Sequence, residues 1–468
     1  MIAVTTFAGR RVAVFGLARS GLAAAHALRA GGAQVIGWDD GERGRETAAD
    51  EGIELADLRL LDWSALSALV LAPGVPLTHP EPHWTVRQAQ RAGVEIIGDT
   101  ELFFRERRAL AARARVIAIT GTNGKSTTAA LVAHLLKQAG CKVSLGGNIG
   151  EAILGLEPLE DDRAYVIEFS SYQIDLTPSL EANAAALLNI TPDHLDRHGT
   201  LQNYAAVKAR IFANLGPGDT AVCSIDDTHC RAIAAALAER RTVEKVSIEG
   251  PVDRGVYCDD MLIEVRDGVQ IPRVALGQYA TLPGRHNRQN AAAAWALLRS
   301  LGVEPAAIAR GLASFPGLAH RMELVGQVGR VLFVNDSKAT NAEAAGHALD
   351  AYDRIYWIAG GLAKEGGIET LTPQFSRLAK AYLVGEAAEP FATTLGAVVP
   401  HETSGTIAAA VSAAARDASR DDHPRAVVLL SPACASFDQF PDFEARGDAF
   451  KAAVAGLDGV VLGTGGVQ

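Results

Sequence analysis

Lys125 and Ser126 follow a glycine turn, and their residue types and spacing suggest phosphate chemistry. The turn reads GTNGKST over residues 121–127, and β-branched and apolar residues fill positions 116–120 before it. A strand, a glycine loop and a helix in this order bind phosphate, because backbone N–H groups and the helix dipole point at one anion. Lys125 adds a full positive charge toward the β- and γ-phosphates, and the Ser126 hydroxyl is a ligand for Mg²⁺. This stretch therefore predicts a nucleotide-binding loop.

The match with the general phosphate-loop pattern is incomplete, because the first glycine of that pattern is missing. The alternative is a glycine-rich turn between a strand and a helix, with an incidental lysine. We favour phosphate binding, because the strand, the loop, the Lys-Ser pair and the following helix all agree.

Length and composition describe an ordinary globular protein of several domains. The chain has 468 residues, which at roughly 150 residues per domain suggests about three domains. Its net charge of −10 and the lack of a long basic run argue against nucleic acid as a partner. The five cysteines form no CxxC pair and indicate reduced thiols in a cytoplasmic protein. No apolar run is long enough to span a membrane, so we expect no membrane partner.

Residues 10–40 predict a second nucleotide-type unit of strand, turn, helix and strand. The second strand ends in Asp39 and Asp40, which resembles the start of a dinucleotide-binding fold. The glycine spacing in GLARSG, residues 16–21, differs from the dinucleotide fingerprint, so this turn is weak support for NAD. Two readings stay open: a diphosphate held by the turn, and a tight turn without a ligand.

Polar residues follow the strands after the phosphate loop. Asn148 lies in the turn LGGNIG, and Glu168 lies on the apolar strand predicted at 165–174. A carboxylate on such a strand is a candidate Mg²⁺ ligand, because buried carboxylates are costly unless they are paired or bind metal. A solvated glutamate on an edge strand is the alternative. The polar loop of residues 189–199 resembles an active-site edge or a surface turn. Lys208 lies on the helix predicted at 204–212, and its spacing alone predicts a side chain exposed to solvent.

The rest of the chain predicts a β-meander within residues 219–276 and then a further series of strand–helix units. Asn287 and Asn290 stand at the start of an alanine-rich helix, where they either cap the helix or contact a base or phosphates. A boundary is predicted at Pro316-Gly317. The repeated units beyond it predict a mostly parallel α/β domain.

Seven motifs occur in one order: GTNGKST, EFSSYQ, NITPDHLDRHG, GRHNRQN, AHR, NDSKATN and SPACASFDQF. Together they resemble the Mur ligases, the ATP-dependent amide-forming enzymes of peptidoglycan synthesis, over nearly the whole chain. The resemblance implies an α/β fold of three domains. These are a Rossmann-like N-terminal domain for the UDP substrate at 1–108, a central P-loop ATPase-type domain with a mostly parallel sheet at 109–316, and a Rossmann-like C-terminal domain for the amino acid at 317–468.

The resemblance also implies roles for individual residues. The implied catalytic residues are Lys125, Lys208, His320, Arg321 and Lys338. The implied ATP-binding residues are Gly121, Thr122, Asn123, Gly124, Lys125, Ser126, Thr127, Asn287, Asn290, Arg321 and Asp336. The implied substrate-binding residues are Asn148, Arg197, Thr340, Lys364, Ser436, Phe437 and Phe443. The implied magnesium ligands are Ser126, Glu168, His194 and a carbamylated Lys208.

The motifs NDSKATN and SPACASFDQF resemble most the family member that adds D-glutamate to UDP-N-acetylmuramoyl-L-alanine. The resemblance thus implies these two substrates, with ATP and Mg²⁺ as cofactors, and we expect a monomer. The loop 360–369, with Leu362 in the turn, departs from the usual family pattern. Other readings are a ligase for another amino acid or a folylpolyglutamate synthetase, an ATP-binding regulator without activity, and an NAD-dependent oxidoreductase.

Overall fold

A computed structural model describes residues 1–279, 281–363 and 366–463. The chain forms two compact units. The first unit comprises Met1–Ala275 and Gln289–Ala313, and the second comprises Leu276–Arg288 and Ser314–Gln468. The chain passes between the units three times, and the crossing at 288/289 lies inside the helix Arg285–Ser300.

The N-terminal part of the first unit is a four-stranded parallel sheet with helices between its strands. The strand order is β2-β1-β3-β4. The elements are β1 (Arg11–Phe15), α1 (Arg19–Ala30), β2 (Gln34–Trp38), α2 (Glu42–Asp50), β3 (Ala68–Leu71), α3 (Trp84–Ala92), β4 (Glu95–Ile97) and α4 (Asp99–Leu110). The predicted strand–helix–strand unit at 10–40 is confirmed by β1, α1 and β2.

A nine-stranded sheet forms the centre of the first unit. Its first strands and the helices that follow them are β5 (Arg115–Thr120), α5 (Lys125–Gln138), β6 (Lys142–Gly147), β7 (Arg163–Glu168), α6 (Ser171–Asp175), β8 (Ala184–Leu187), α7 (Leu195–His198) and α8 (Leu201–Ala209). The remaining elements are β9 (Thr220–Ser224), α9 (Thr228–Ala238), β10 (Val243–Ser247), β11 (Gly255–Cys258), β12 (Met261–Arg266), β13 (Val269–Ala275), α10 (Arg285–Ser300) and α11 (Pro305–Ser314).

The order of this sheet is β13-β12-β11-β10-β9-β8-β5-β7-β6. All its pairs are parallel from β6 to β11, and β12 and β13 extend it as antiparallel strands. The predicted mostly parallel sheet is confirmed, and the predicted meander corresponds to β11–β13. In the parallel part, all strand ends that carry the polar loops lie at one edge, which is where such sheets bind ligands.

Helix α4 joins the two sheets of the first unit. The sequence of residues 96–115, with its several arginines, predicts a helix and a basic linker, but the helix is largely buried. The Phe103 ring lies 5.4 Å from that of Tyr165 on β7, and the Phe104 ring stacks on Phe169 at 6.3 Å. Glu101 accepts hydrogen bonds from the backbone N–H and hydroxyl of Ser179. These contacts explain why the two sheets form one compact unit.

The second unit is built on a seven-stranded sheet of order β19-β18-β16-β20-β15-β14-β22, in which β14 runs antiparallel to both of its neighbours, β15 and β22. Its first elements are β14 (Glu323–Val328), β15 (Val331–Asn335), α12 (Ala342–Leu349), β16 (Ile355–Gly360) and β17 (Leu362–Ala363). The others are β18 (Leu378–Val384), α13 (Ala388–Leu395), β19 (His401–Gly405), α14 (Ile407–Ser419), β20 (Ala426–Leu430), β21 (Cys434–Ala435), α15 (Phe443–Ala455) and β22 (Val461–Leu462).

The predicted α/β class is confirmed in both units, since most strands are parallel and most of these alternate with helices. The domain limits at 108/109 and 316/317 remain a prediction. Among the described residues, no helix has the length and apolar character needed to cross a bilayer.

Candidate functional site

The phosphate loop of the first unit connects β5 directly to α5. The predicted strand, loop and helix are thus confirmed. Gly124 precedes the helix in the left-handed region, with φ +83°. Lys125 and Ser126 form the first turn of α5, and Ser126 and Thr127 are buried. The Lys125 ammonium donates to the carbonyl of Thr122 at 2.6 Å, and this hydrogen bond places the positive charge at the loop.

Two asparagines hold the phosphate loop in place. Asn189, just after β8, accepts from the backbone N–H of Asn123 at 2.8 Å and donates to its carbonyl at 3.1 Å. Asn290, on α10, accepts from the Thr128 hydroxyl at 3.2 Å. Its Oδ1 lies so close to Gly124 that a Cβ there would approach it to 2.3 Å. Sequence reasoning proposed Asn290 for ATP binding, and it missed Asn189, although the motif NITPDHLDRHG begins there.

Glu168 lies at the end of β7, beside Ile119 of β5 in the parallel register. Its side chain is 1% exposed. Oε1 accepts a hydrogen bond from Asn148 Nδ2 at 2.8 Å, whereas Oε2 is buried and has no hydrogen-bond partner among the described residues. A buried, unsatisfied carboxylate oxygen is costly and is an available ligand for a hard cation. Asn148 and Glu168, which the sequence analysis assigned to separate roles, are therefore in direct contact.

Lys208 on α8 is 1% exposed, so the solvated reading from spacing alone is wrong. Its Nζ donates to the carbonyl of Gly121 at 2.9 Å and to the hydroxyl of Thr120 at 3.3 Å, under the phosphate loop. It also lies 4.7 Å from the ring centroid of Tyr204. Burial lowers the pKa of Lys208 well below its usual value, and the charge of Lys125 lowers it further. The lowered pKa favours the neutral form of this amine next to the loop.

His194 lies directly before α7, and Arg197 lies within α7. His194 adopts φ +53°, its ring lies 5.0 Å from that of Tyr172, and its side chain is 45% exposed. The Arg197 guanidinium donates to the carbonyls of Gly74 and Val75 at 2.6 and 2.8 Å and lies over the Tyr172 ring. Here Arg197 connects the loop to the N-terminal sheet.

The described residues contain no cluster of three or more His, Cys, Asp or Glu side chains with the geometry of a metal site. This does not conflict with the predicted magnesium ligands, since only Glu168 and His194 among them belong to these residue types. Mg²⁺ keeps several waters and takes one or two carboxylates together with substrate phosphates. The free Glu168 oxygen fits that donor set.

In the second unit, the motif AHR forms a strained turn. His320 and Met322 both adopt positive φ values, of 59° and 49°. The backbone N–H of His320 donates to Glu323 Oε2 at 2.9 Å, and that of Met322 donates to Asp336 Oδ1 at 3.2 Å. Such backbone strain persists where surrounding contacts impose it, and it concentrates at functional sites.

Asn335 fixes the ring of His320. Its buried amide nitrogen lies 3.0 Å from His320 Nδ1 and 3.0 Å from Glu323 Oε2. If Asn335 donates to Nδ1, the neutral ring carries its proton on Nε2. Burial lowers the pKa of His320, which favours that neutral form, although Glu323 opposes the shift.

Asp336 follows β15 and is buried. Its Oδ2 accepts from the Ser431 hydroxyl at 2.8 Å. Burial raises the pKa of Asp336 to about 7, and the Ser431 hydrogen bond and the charge of Arg321 oppose this shift. The Asp336 carboxyl group therefore changes its protonation state near neutral pH.

Lys338 and Phe443 meet beside the same turn, with the Lys338 ammonium 5.4 Å from the ring centroid. The Ser337 hydroxyl donates to the Phe443 carbonyl at 2.8 Å. Arg446, which sequence reasoning missed, is buried and donates to the carbonyls of Ser337 and Cys434. An arginine inside the helix α15 gives no sequence signal for such a role.

The other predicted site residues of the second unit differ in their exposure and in their hydrogen-bond partners. Ser436 is buried, whereas the Phe437 side chain is 71% exposed. Thr340 donates its backbone N–H to the Lys338 carbonyl, and Asn287 donates its amide to the Pro283 carbonyl. Lys364 lies outside the described residues.

The comparisons with known proteins agree on one family. A family described as Mur ligase middle domain matches residues 119–298, and one described as Mur ligase, glutamate ligase domain matches residues 320–434. A protein of Chelativorans sp. named UDP-N-acetylmuramoylalanine--D-glutamate ligase is 57% identical, over 99% of both chains. The protein of that name from Rhizobium johnstonii is also 57% identical, over 99% of this chain and 98% of its own.

The solved structures show the same fold at lower identity. The crystal structure of UDP-N-acetylmuramate-alanine ligase from Thermotoga maritima has a TM-score of 0.58 and 16% identity, over 94% of this chain and 98% of its own. That likeness supports the fold of the chain.

Proposed function

The chain belongs to the Mur ligase family, and we propose that it is an ATP-dependent ligase that adds D-glutamate to UDP-N-acetylmuramoyl-L-alanine in peptidoglycan precursor synthesis. The reaction forms an acyl phosphate on the substrate carboxylate and releases ADP and phosphate. The relatives that are 57% identical over nearly the full length carry the substrate assignment.

One observation of the structure supports the chemistry above all: a buried carboxylate with a free oxygen, Glu168, stands beside the phosphate-loop strand. Bound Mg²⁺ would neutralise charge on the transferring phosphoryl group. Glu168, Ser126 and His194 are the residues that we propose to hold it. Asn148 orients the Glu168 carboxylate through Oε1 and leaves Oε2 for the cation.

Lys125 binds and orients the ATP phosphates, since its ammonium is fixed at the loop by the Thr122 carbonyl. Asn123, Gly124 and Thr127 contribute the loop around them. Asn189 binds the loop backbone at Asn123 and Asn290 accepts from the Thr128 hydroxyl, so these two side chains position the loop.

We also propose that Lys208 is carbamylated. A neutral amine reacts with CO₂, and the lowered pKa of Lys208 favours that form. The carbamate would replace a cation by an anionic oxygen donor, which suits Mg²⁺. Protein equilibrated with ¹³C-bicarbonate should show a carbamate carbon signal that is missing from Lys208→Met. A spectrum identical in both proteins would refute the modification.

For the second unit we propose that Asp336 and Arg321 contact ATP and that Lys338 offsets charge on the tetrahedral intermediate. Thr340, Ser436, Phe437 and Phe443 are proposed to bind D-glutamate, together with Lys364 and Arg197. His320 is proposed to act in the neutral form that Asn335 orients.

Phosphate release tests the proposed function. ATP, Mg²⁺ and UDP-N-acetylmuramoyl-L-alanine are supplied with D-glutamate, L-glutamate, meso-diaminopimelate or no amino acid. We expect release with D-glutamate alone. Release with another amino acid would keep ligase chemistry and overturn the substrate, and no release in a chain that binds ATP would favour a regulator without activity.

A further inference from the structure

The first unit contains a cavity of about 760 Å³ that the proposed ligase function does not use. It is lined by the loop Leu215–Thr220, which leads into β9, and by residues before β10 and β11. The phosphate loop follows the carboxyl end of β5. Because β5, β8, β9 and β10 are parallel, the cavity lies at the opposite edge of the sheet.

Arginines dominate the ionisable residues around this cavity. Five of them come from four separate segments: Arg240, Arg241, Arg254, Arg266 and Arg299. Asp219 and Glu244 are the acidic residues of the lining. In a chain with net charge −10, such a concentration of guanidinium groups is a local feature rather than a consequence of composition.

The wall behind the cavity holds more positive than negative charge. Glu244 accepts from Arg254 at 3.0 Å and from Arg266 at 2.6 Å. Glu264, fully buried, accepts from Arg266, Arg273 and Arg299 at 2.8–3.1 Å. Four guanidinium groups therefore share two carboxylates. The hydrogen bonds of Arg266, Arg299 and Trp295 lower the pKa of Glu264 to about 2 although burial opposes this, so the carboxylate is ionised and the excess of positive charge persists.

Several donors of these arginines remain available. Within the described part of the chain, the side chain of Arg240 makes no hydrogen bond or ion pair, and Arg241 uses one nitrogen on the Leu215 carbonyl. Arg254 uses only its Nε, and its side chain is 44% exposed. Forked guanidinium groups bind phosphate through two parallel hydrogen bonds, and these are stronger than bonds between neutral groups.

We propose that this cavity is a second anion site, which binds a phosphate-bearing molecule such as a diphosphate. Donors that approach from several segments suit a tetrahedral phosphate, whose oxygens point in different directions. A planar carboxylate is satisfied by one or two forks. The site is separate from the phosphate loop and does not depend on the proposed ligase function.

Calorimetric titration of inorganic diphosphate tests the site. The titrated protein is the full chain with Lys125→Ala, which weakens binding at the phosphate loop, at constant ionic strength and without Mg²⁺. The test variant adds Arg240→Gln and Arg254→Gln. The matched control adds Arg91→Gln and Arg310→Gln, which remove the same charge from exposed residues elsewhere. Circular dichroism checks that all three proteins are folded.

We expect one diphosphate site in the Lys125→Ala chain and in the matched control, with Kd raised about tenfold or more in the test variant, since charged hydrogen bonds are lost. Arg241→Gln gives an independent second variant, with a smaller increase in Kd expected. Citrate should bind more weakly than diphosphate. No heat of binding in the Lys125→Ala chain, an equal Kd in test and control variants, or tighter binding of citrate would each overturn the proposal.

Discussion

The Glu168 carboxylate shows most directly how one residue connects this fold to its proposed chemistry. A 1% exposed glutamate with one unpaired oxygen would be unfavourable in an inert protein, because its desolvation is not offset. Asn148 satisfies only half of the carboxylate. The other half is explained if the residue is a ligand for Mg²⁺.

Glu168→Gln should lower kcat by about 100-fold or more, since it removes the charge while it retains the size and the contact to Asn148. The Mg²⁺ concentration for half-maximal phosphate release should rise. Glu157→Gln, whose side chain is 65% exposed, is the control and should leave both quantities unchanged. A Glu168→Gln chain with unaltered Mg²⁺ dependence would contradict the assignment.

Asp336 predicts a pH dependence of stability. Its pKa is raised to about 7 in the folded chain, from 3.8. Between these values the folded chain keeps a proton that the unfolded chain has released, so the free energy of unfolding falls as the pH rises. Above about pH 7 the loss should amount to about 2–4 kcal/mol.

Asp336→Asn lacks this titration, so the variant should gain stability relative to the parent when the pH is raised from about 5 to about 8. Urea denaturation at the two pH values measures the difference. A gap between parent and variant that stays constant with pH would show that Asp336 is not the titrating group.

At the scale of single residues, the sequence identifies groups that stand at strand ends and misses those that hold them. Glu168 was predicted because it is a carboxylate on an apolar strand, and the role of Asn148 was implied by the family resemblance. Asn189, Asn335 and Arg446 were not, because hydrogen bonds between segments distant in sequence leave no local pattern. The burial of Lys208 likewise depends on how α8 packs under the phosphate loop, and periodicity does not report that.

At the scale of elements, the phosphate loop depends on a glycine that faces a helix. Gly124→Ala would place a Cβ 2.3 Å from Asn290 Oδ1 and would strain a backbone with φ +83°. Either the loop or α10 must shift, so we expect the affinity for ATP to fall by about tenfold or more.

Gly140→Ala is the matched control for this substitution. Gly140 has nearly the same φ, +85°, but nothing lies within 4 Å of a Cβ built there. It should cost about 1 kcal/mol of stability from the backbone conformation alone and leave the ATP affinity unchanged. Equal ATP affinities in the two variants would show that the contact with Asn290 does not control the loop.

Element order was predictable, and the packing of elements was not. Glycine turns after apolar runs located strand–helix units in both units of the chain. Helix α4 appeared from its arginines to be part of a linker, yet Arg105 pairs with Glu95 and Glu101 while the opposite face is buried. The pairing of β17 with β21 was also missed, since each strand has only two residues.

At the scale of the whole molecule, the contacts of α4 make a prediction about cooperativity. Phe103→Ala should cost about 3–5 kcal/mol, since the ring is fully buried against Tyr165 and Phe104. Hydrogen exchange should accelerate in both sheets of the first unit. Leu110→Ala, on the same helix but 60% exposed, should change neither. Faster exchange confined to β1–β4 would show that the N-terminal sheet unfolds independently.

The transfer of a carboxylate oxygen to phosphate tests the proposed ligase reaction most directly. UDP-N-acetylmuramoyl-L-alanine labelled with ¹⁸O in its carboxylate is incubated with ATP, Mg²⁺, D-glutamate and the chain, and the released phosphate is analysed by mass spectrometry. An acyl phosphate leaves one labelled oxygen in each phosphate, and we predict this label with release that requires D-glutamate. Unlabelled phosphate, or release at the same rate without D-glutamate, would contradict the proposed reaction.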